Sequence, residues 1–564
     1  MSRLLGCLAV LLPAIGIARA ADVAPPPREK AVVASTPAPK TMPLTGLTPA
    51  KPMFDACLYR YGVGTTNKQC QAYLDQALGM YYSYMWIEAA RAAETALTHD
   101  PECAYAWLTL HRALEKWGKG GITPKTGALV AVIGGPNFAT LPDKMTKSPA
   151  DYSLEMARKL MPKASQREQL HIQSRLQEKG MWPGTGPDER KKKAASSLDE
   201  LLTLYDDDEE AWFWRAQLAE GPNAGIPFYK ALLKVNPLHP GANHELVHFF
   251  EGMKRPALGW PFAEGYVASS PGIPHAFHMQ AHLATRIGKW GSTTDWSYRA
   301  VELQIAYHKY QGVTPGEDHQ FNHHMDILTR SLVHDGRFAE VKDIKAKAEG
   351  YKYTFRNEWF RMAVAEQDWA ECQKHVDQFR RTDKSNGAYS AAIVCLEKGD
   401  TEQAGRELDT LRQLAQTRKS DKQIEKKLWE IQGRYLCQKG EGEAGLKLLK
   451  KLADSAKNDF GHHAWGNGAV YMEVWGVGAL EAGSAIDAEE AFLEALAHDA
   501  GSVRAALGLW ALCARLGRTE EASRYLKLAH RFWAKADPKD FDLVKAGMEK
   551  RATKVPKPTM AAAQ

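Results

Sequence analysis

The spacing of a few small residues constrains this chain more than any other feature. Ala488 and Ala522 stand 34 residues apart, and so do Ala495 and Ala529. Each pair falls in a run of apolar residues with helical spacing. Runs of this kind recur along the chain, divided by short Gly, Pro, Asn and Asp breaks, while the alternating Val, Ile and Thr pattern of strands is missing. A fixed period of helical units means that each unit buries its apolar face against the next. Small residues are needed where the two helices of a unit approach closely. The predicted fold class is all-α, an α-solenoid of helix pairs spanning residues 56–552 with degenerate repeats in the middle.

The stretch from Tyr73 to Pro101 shows one such unit. Ala89, Ala96 and Pro101 match the small–small–Pro signature of a tetratricopeptide repeat (TPR). The proline cannot continue a helix and so ends the second one. Gly288-Lys289-Trp290 and Gly336-Arg337-Phe338 read as the Gly-x-aromatic turns that join first and second helices.

The ends read differently. Arg3 precedes an apolar run from Leu4 to Ile17, closed by Ala18-Arg19-Ala20. That order is a cleavable secretory signal over residues 1–20, and the run is too short to span a bilayer. Leu4-Leu5-Gly6-Cys7 resembles a lipidation site, but most of the apolar run follows Cys7. Residues 21–55 are rich in Pro, Ala, Thr and Lys and are expected to form a linker, and 553–564 a disordered tail. The protein is therefore expected to be exported, periplasmic or secreted, with no membrane span. Its net charge of +6 over 564 residues makes no case for a nucleic-acid partner.

Seven of the eight cysteines lie beyond residue 20. For Cys57 and Cys70, which flank a Gly/Thr loop, a disulfide is one reading and two reduced thiols the other. The acidic run Asp206–Glu210 reads as a helix N-terminus, and the basic run Arg190–Lys193 as a solvated helix face. Phosphate-binding loops, nucleophile elbows and CxxC pairs are missing. No role follows for His462-His463.

Gln71, Ala72, Asp75 and Leu78, followed by Asp100-Pro101-Glu102-Cys103-Ala104, resemble the opening of a family of exported bacterial TPR proteins. The resemblance continues through residues 239–248, 274–290 and 504–522. It implies an exported TPR fold but no activity, because none is established for that family.

Chemistry is concentrated in the middle. Eleven of the 19 histidines lie between His239 and His334. His244 and His248 are spaced i, i+4, as are His278 and His282, and the second pair follows the first by 34 residues. Each pair shares one helix face, and equivalent faces of successive repeats lie side by side. Counting back from the Gly288 turn puts His278 and His282 at the fifth and ninth positions of a first helix, on its concave face. The same count from Gly336 puts His323 and Asp326 at the second and fifth. The family resemblance implies a His at the Asp326 position, where a carboxylate keeps a ligand. His244, His248, His278, His282, His323 and Asp326 thus form the candidate metal ligands, a donor set suited to a divalent transition ion such as Zn or Cu. His239, His275, His319 and His324 are candidate supporting or helix-entry residues. A stacked-ring packing interface and a polar groove without metal are the competing readings.

His244-Glu245-Leu246-Val247-His248 also matches H-E-x-x-H, in which Glu245 would activate a metal-bound water. The resemblance implies an aromatic residue at that position, and no edge strand is visible to align a peptide. The favoured reading is a binding or scaffold protein holding a protein or peptide in a His-lined concave groove. A metal-dependent hydrolase working through Glu245 is the alternative.

Overall fold

The computed structural model describes residues 41–118, 148–221, 223–253, 256–418, 420–457 and 469–558. They belong to one compact unit, Thr41–Gln564, and among them are 25 α-helices and no strand. The fold is an all-α solenoid of TPR-like helix pairs. The signal segment, residues 21–40 of the linker, Cys7, His462-His463 and residues 559–564 lie outside the described residues.

The 34-residue period is carried by glycine turns. Gly483 and Gly517 adopt φ of +75° and +76°, a left-handed conformation that side chains with a Cβ resist. Each hands the chain to a second helix, Ala485–His498 or Thr519–Phe532. Ala488 and Ala495, and one period later Ala522 and Ala529, are buried where paired helices meet. The Gly288 and Gly336 turns work in the same way, joining Pro274–Arg286 to Trp290–Gln311 and Phe321–His334 to Phe338–Gly350.

The sequence boundaries need correction at both ends. Residues 41–55, read as linker, pack along the Trp86–His99 helix. Leu44 and Thr45 donate backbone N–H groups to Glu94, and Ala50 donates to Thr95 Oγ1. Met42 is fully buried. Backbone polar groups in this Pro-rich stretch thus find partners on a neighbouring helix. At the other end, Val555 is buried and its carbonyl accepts from Arg515 Nε at 2.7 Å, so the tail begins later than 553.

Cys57 and Cys70 are two reduced thiols, the second of the two readings open from sequence. Cys57 Sγ lies 3.5 Å from Ser270 Oγ, and Cys70 instead hydrogen-bonds the thiol of Cys103. The acidic run does start a helix: Asp208 accepts from Ala211 N at 2.8 Å and caps Glu209–Gln217. Arg190–Lys192 are exposed at the start of Arg190–Leu204.

Repeats contact more than their neighbours in sequence. Trp290 Nε1 donates to Asp499, and Trp533 Nε1 donates to the His334 carbonyl at 2.7 Å. At the other end Gln311 exchanges hydrogen bonds with the backbone of Pro49 and Lys51. The central helices that carry the histidines are therefore flanked by both ends of the described chain.

Candidate metal centre

Three helices supply the histidines. Pro240–Gly252 carries His244 and His248 at its fifth and ninth positions, and Pro274–Arg286 carries His278 and His282 at the same two positions. The 34-residue register thus survives in the structure. Phe321–His334 begins one residue before the position counted from sequence, so His323 and Asp326 are third and sixth.

The histidines are buried rather than lining an open groove. His244, His275, His278, His282 and His324 are all 5% exposed or less, whereas His248 and His323 are partly exposed. What covers them is the turn between Lys68–Tyr82 and Trp86–His99. Gly241 permits this approach, because a Cβ there would collide with the Tyr82 ring. The Tyr82 carbonyl then accepts from His244 Nδ1 at 2.6 Å. Tyr84 lays its ring over His244 and His248, and its carbonyl accepts from His319 Nε2 at 2.7 Å. Tyr84 sits at φ +55°, where most of the other turns use glycine.

Three candidate ligand sets result, the donor atoms of each lying within 4.8 Å of one another: His244, His248 and His275; His275, His278 and His324; His278, His282 and His323. His275 and His324, expected as supporting residues, are members. His239 is a helix-entry residue, its Nδ1 accepting from Ala242 N to cap Pro240–Gly252. Asp326 belongs to no set. Arg330, one turn on, pairs with its carboxylate at 3.2 Å, and burial raises its pKa to about 6.

The tautomers follow from the partners. A neutral imidazole has one N–H and one lone pair. Carbonyl and ionised carboxylate oxygens only accept, so His244, His248 and His282 carry their hydrogens on Nδ1. His248 and His282 donate to the two oxygens of one carboxylate, Glu251, at 3.2 and 2.7 Å. Burial alone would raise the Glu251 pKa, but His282 and His248 together hold it well below the usual range. Each of the three, when neutral, therefore presents an Nε2 lone pair to the cluster.

These lone pairs converge. His282 Nε2 lies 2.7 Å from His278 Nε2, which is itself 2.9 Å from His323 Nε2. His244 Nε2 lies 3.1 Å from His275 Nε2. One proton on His278 Nε2 cannot be shared linearly with two nitrogens. The nitrogens His248 Nε2, His275 Nδ1, His278 Nδ1 and both of His324 are buried without a hydrogen-bond partner. Each such group carries a penalty of about 1–3 kcal/mol. Burial holds His244, His275, His278 and His323 well below the ordinary imidazole pKa and His324 at about 3, so these rings are neutral, the state that ligates metal. For His248, burial pulls the same way but Glu251 outweighs it and leaves the pKa raised.

Two features of the cluster escaped the sequence reading. Glu251 follows His248 by three residues, and H-x-x-E is the signal that could have found it. The Tyr82–Tyr84 cover comes from 162 residues away and has no local signal. Glu245, the residue H-E-x-x-H singled out, accepts from the Tyr84 hydroxyl at 3.0 Å.

No protein-family model matches the chain, and no curated protein matches it. Solved structures with similar helical arrangements include the human IFIT1 dimer with m7Gppp-AAAA, at 13% identity over 84% of this chain and 92% of that one, with a TM-score of 0.26. Yeast Tom70 is 12% identical over 86% and 89%, with a TM-score of 0.23. The P58(IPK) TPR domain is 12% identical over 68% and 98%, with a TM-score of 0.17. Likeness at this level transfers no function.

Proposed function

We propose that this chain is an exported TPR-like scaffold whose buried histidine cluster holds a divalent transition metal. The observation that carries the reading is the convergence of His282 Nε2 and His323 Nε2 on His278 Nε2, at 2.7 and 2.9 Å. Two nitrogens bound to one zinc ion at ordinary distances are about 3.3 Å apart, so a small opening of the set admits an ion. An all-imidazole donor set with no thiolate suits zinc or copper. The carboxylate behind His248 and His282 supplies the outer hydrogen bonds that orient metal-bound histidines.

The scaffold part of the proposal rests on the fold, since stacked helix pairs present long surfaces to a protein or peptide partner. Export rests on the signal-like residues 1–20, and the mature chain is expected to begin at Ala21. The hydrolase reading is weaker, because the Tyr84 hydroxyl holds the Glu245 carboxylate that would have to activate water.

Dialysis against zinc(II) or copper(II), followed by metal-free buffer and elemental analysis, tests the metal. The wild type should retain ion, and a His244→Ala/His278→Ala double variant should retain none. Stoichiometric ion on the double variant would overturn the site.

A further inference from the structure

His244, His248 and His275 form one ligand set, and His278, His282 and His323 form another with no residue in common. Each set is drawn from more than one helix. His248 and His244 lie on Pro240–Gly252 and His275 on Pro274–Arg286, while His278 and His282 lie on Pro274–Arg286 and His323 on Phe321–His334. The sets are adjacent, the ring centroids of His275 and His278 being 5.3 Å apart. We infer that the cluster is a two-ion centre in which each three-histidine set holds its own ion of the zinc or copper class. This inference rests on the metal reading above and goes further, to the number of ions and the residues that hold each.

Three independent features support two ions over one. First, each set contains lone pairs fixed by outside acceptors. His244 and His248 are fixed in the first set by the Tyr82 carbonyl and Glu251, and His282 in the second by Glu251. A single ion in the second set would leave His248 Nε2, in the first, buried without a hydrogen-bond partner. Second, Glu251 is divided between the sets, Oε2 accepting from His248 and Oε1 from His282, so one carboxylate positions a ligand for each ion. Its negative charge is shared with Arg286, 3.3 Å from Oε1, and lies beside a ligand of each set. Third, His324 lies between the sets, with ring centroids 5.8 Å from His275 and 4.4 Å from His278. Both of its nitrogens are buried and unpartnered, so it can ligate either ion or hydrogen-bond a small molecule bound between them. A three-histidine set leaves each ion at least one open position, the feature that distinguishes a reactive or exchangeable site from a closed structural one.

The test is stoichiometry. Wild-type protein is loaded separately with zinc(II) and copper(II), freed of excess, and analysed for metal per chain. His248 and His323 are the partly exposed ligands of the two sets, so His248→Ala and His323→Ala are the variants, with His248→Gln and His323→Gln keeping volume should an alanine variant fail to fold. Circular dichroism melts identify any variant that has not folded. Two ions on the wild type, one on each single variant and none on the double variant are expected. One ion on the wild type overturns the two-ion centre and leaves the single-ion reading standing. No ion of either metal overturns both. A single variant that loses both ions at once, while folded, overturns the division into separate sets.

Discussion

Glu251 offers one oxygen to each half of the histidine cluster, and this arrangement makes a sharp prediction. In Glu251→Gln the amide oxygen can accept from one imidazole, while the amide nitrogen donates and opposes the other. One of His248 and His282 must then change tautomer or turn away. Affinity for zinc is expected to fall 10- to 100-fold, the usual effect of removing such a partner, read by competition with a chromophoric chelator. Glu245→Gln is the control. Its carboxylate serves the Tyr84 hydroxyl rather than an imidazole, and affinity should stay within about 2-fold. If the two substitutions weaken binding equally, Glu251 has no special role. At this scale the sequence was legible where spacing alone decides, as with His244, His248, His278 and His282. It was misleading where a partner outside the helix decides. Asp326 has the right position but is held by Arg330, while Glu245, read from its motif only as an alternative, accepts from Tyr84.

At the scale of elements, the turns do more than connect helices. The Gly288 turn packs against the loop at Asp499, where a Cβ on Gly288 would stand 2.6 Å from the carboxylate. Asp499 accepts from Trp290 Nε1 and Gly501 N, and burial, reinforced by Glu473, raises its pKa to about 7. A carboxyl whose folded pKa exceeds its unfolded value is bound to its proton more tightly in the fold. The native state is therefore disfavoured progressively as pH rises from about 4 to 7, and the loss is complete above that. Asp499→Asn keeps an oxygen acceptor for both donors and removes the ionisation. Relative to wild type it should gain on the order of 2 kcal/mol between pH 5 and pH 8, measured from urea midpoints at the two pH values. A constant difference would show that Asp499 ionises normally. The glycine turns themselves were legible, because the αL requirement marks them in sequence and the 34-residue period repeats it. The Tyr84 turn was not, since the residue there breaks the glycine rule and its packing against His244 and His248 is set by residues far along the chain.

On the scale of the whole molecule, the local period predicts stacked helix pairs but not which distant repeats meet. That information lies in side chains such as Trp533, whose Nε1 reaches the His334 carbonyl and whose ring closes over Gly336. Two glycines isolate this contact. Gly399 and Gly336 both turn the chain at positive φ, +80° and +71°. A Cβ on Gly399 would meet nothing within 4 Å, whereas one on Gly336 would stand 2.5 Å from the Trp533 ring. Gly399→Ala should therefore carry only the backbone penalty, about 1–2 kcal/mol. Gly336→Ala should carry that penalty and an overpacking term of about 1–3 kcal/mol more. In a Trp533→Ala background the extra term should vanish, so that the two glycine substitutions become equivalent in urea unfolding. Equal costs in the wild-type background would mean that the C-terminal repeats do not pack on the turn beside the histidine helices. An excess that survives removal of Trp533 would place its source elsewhere in the turn.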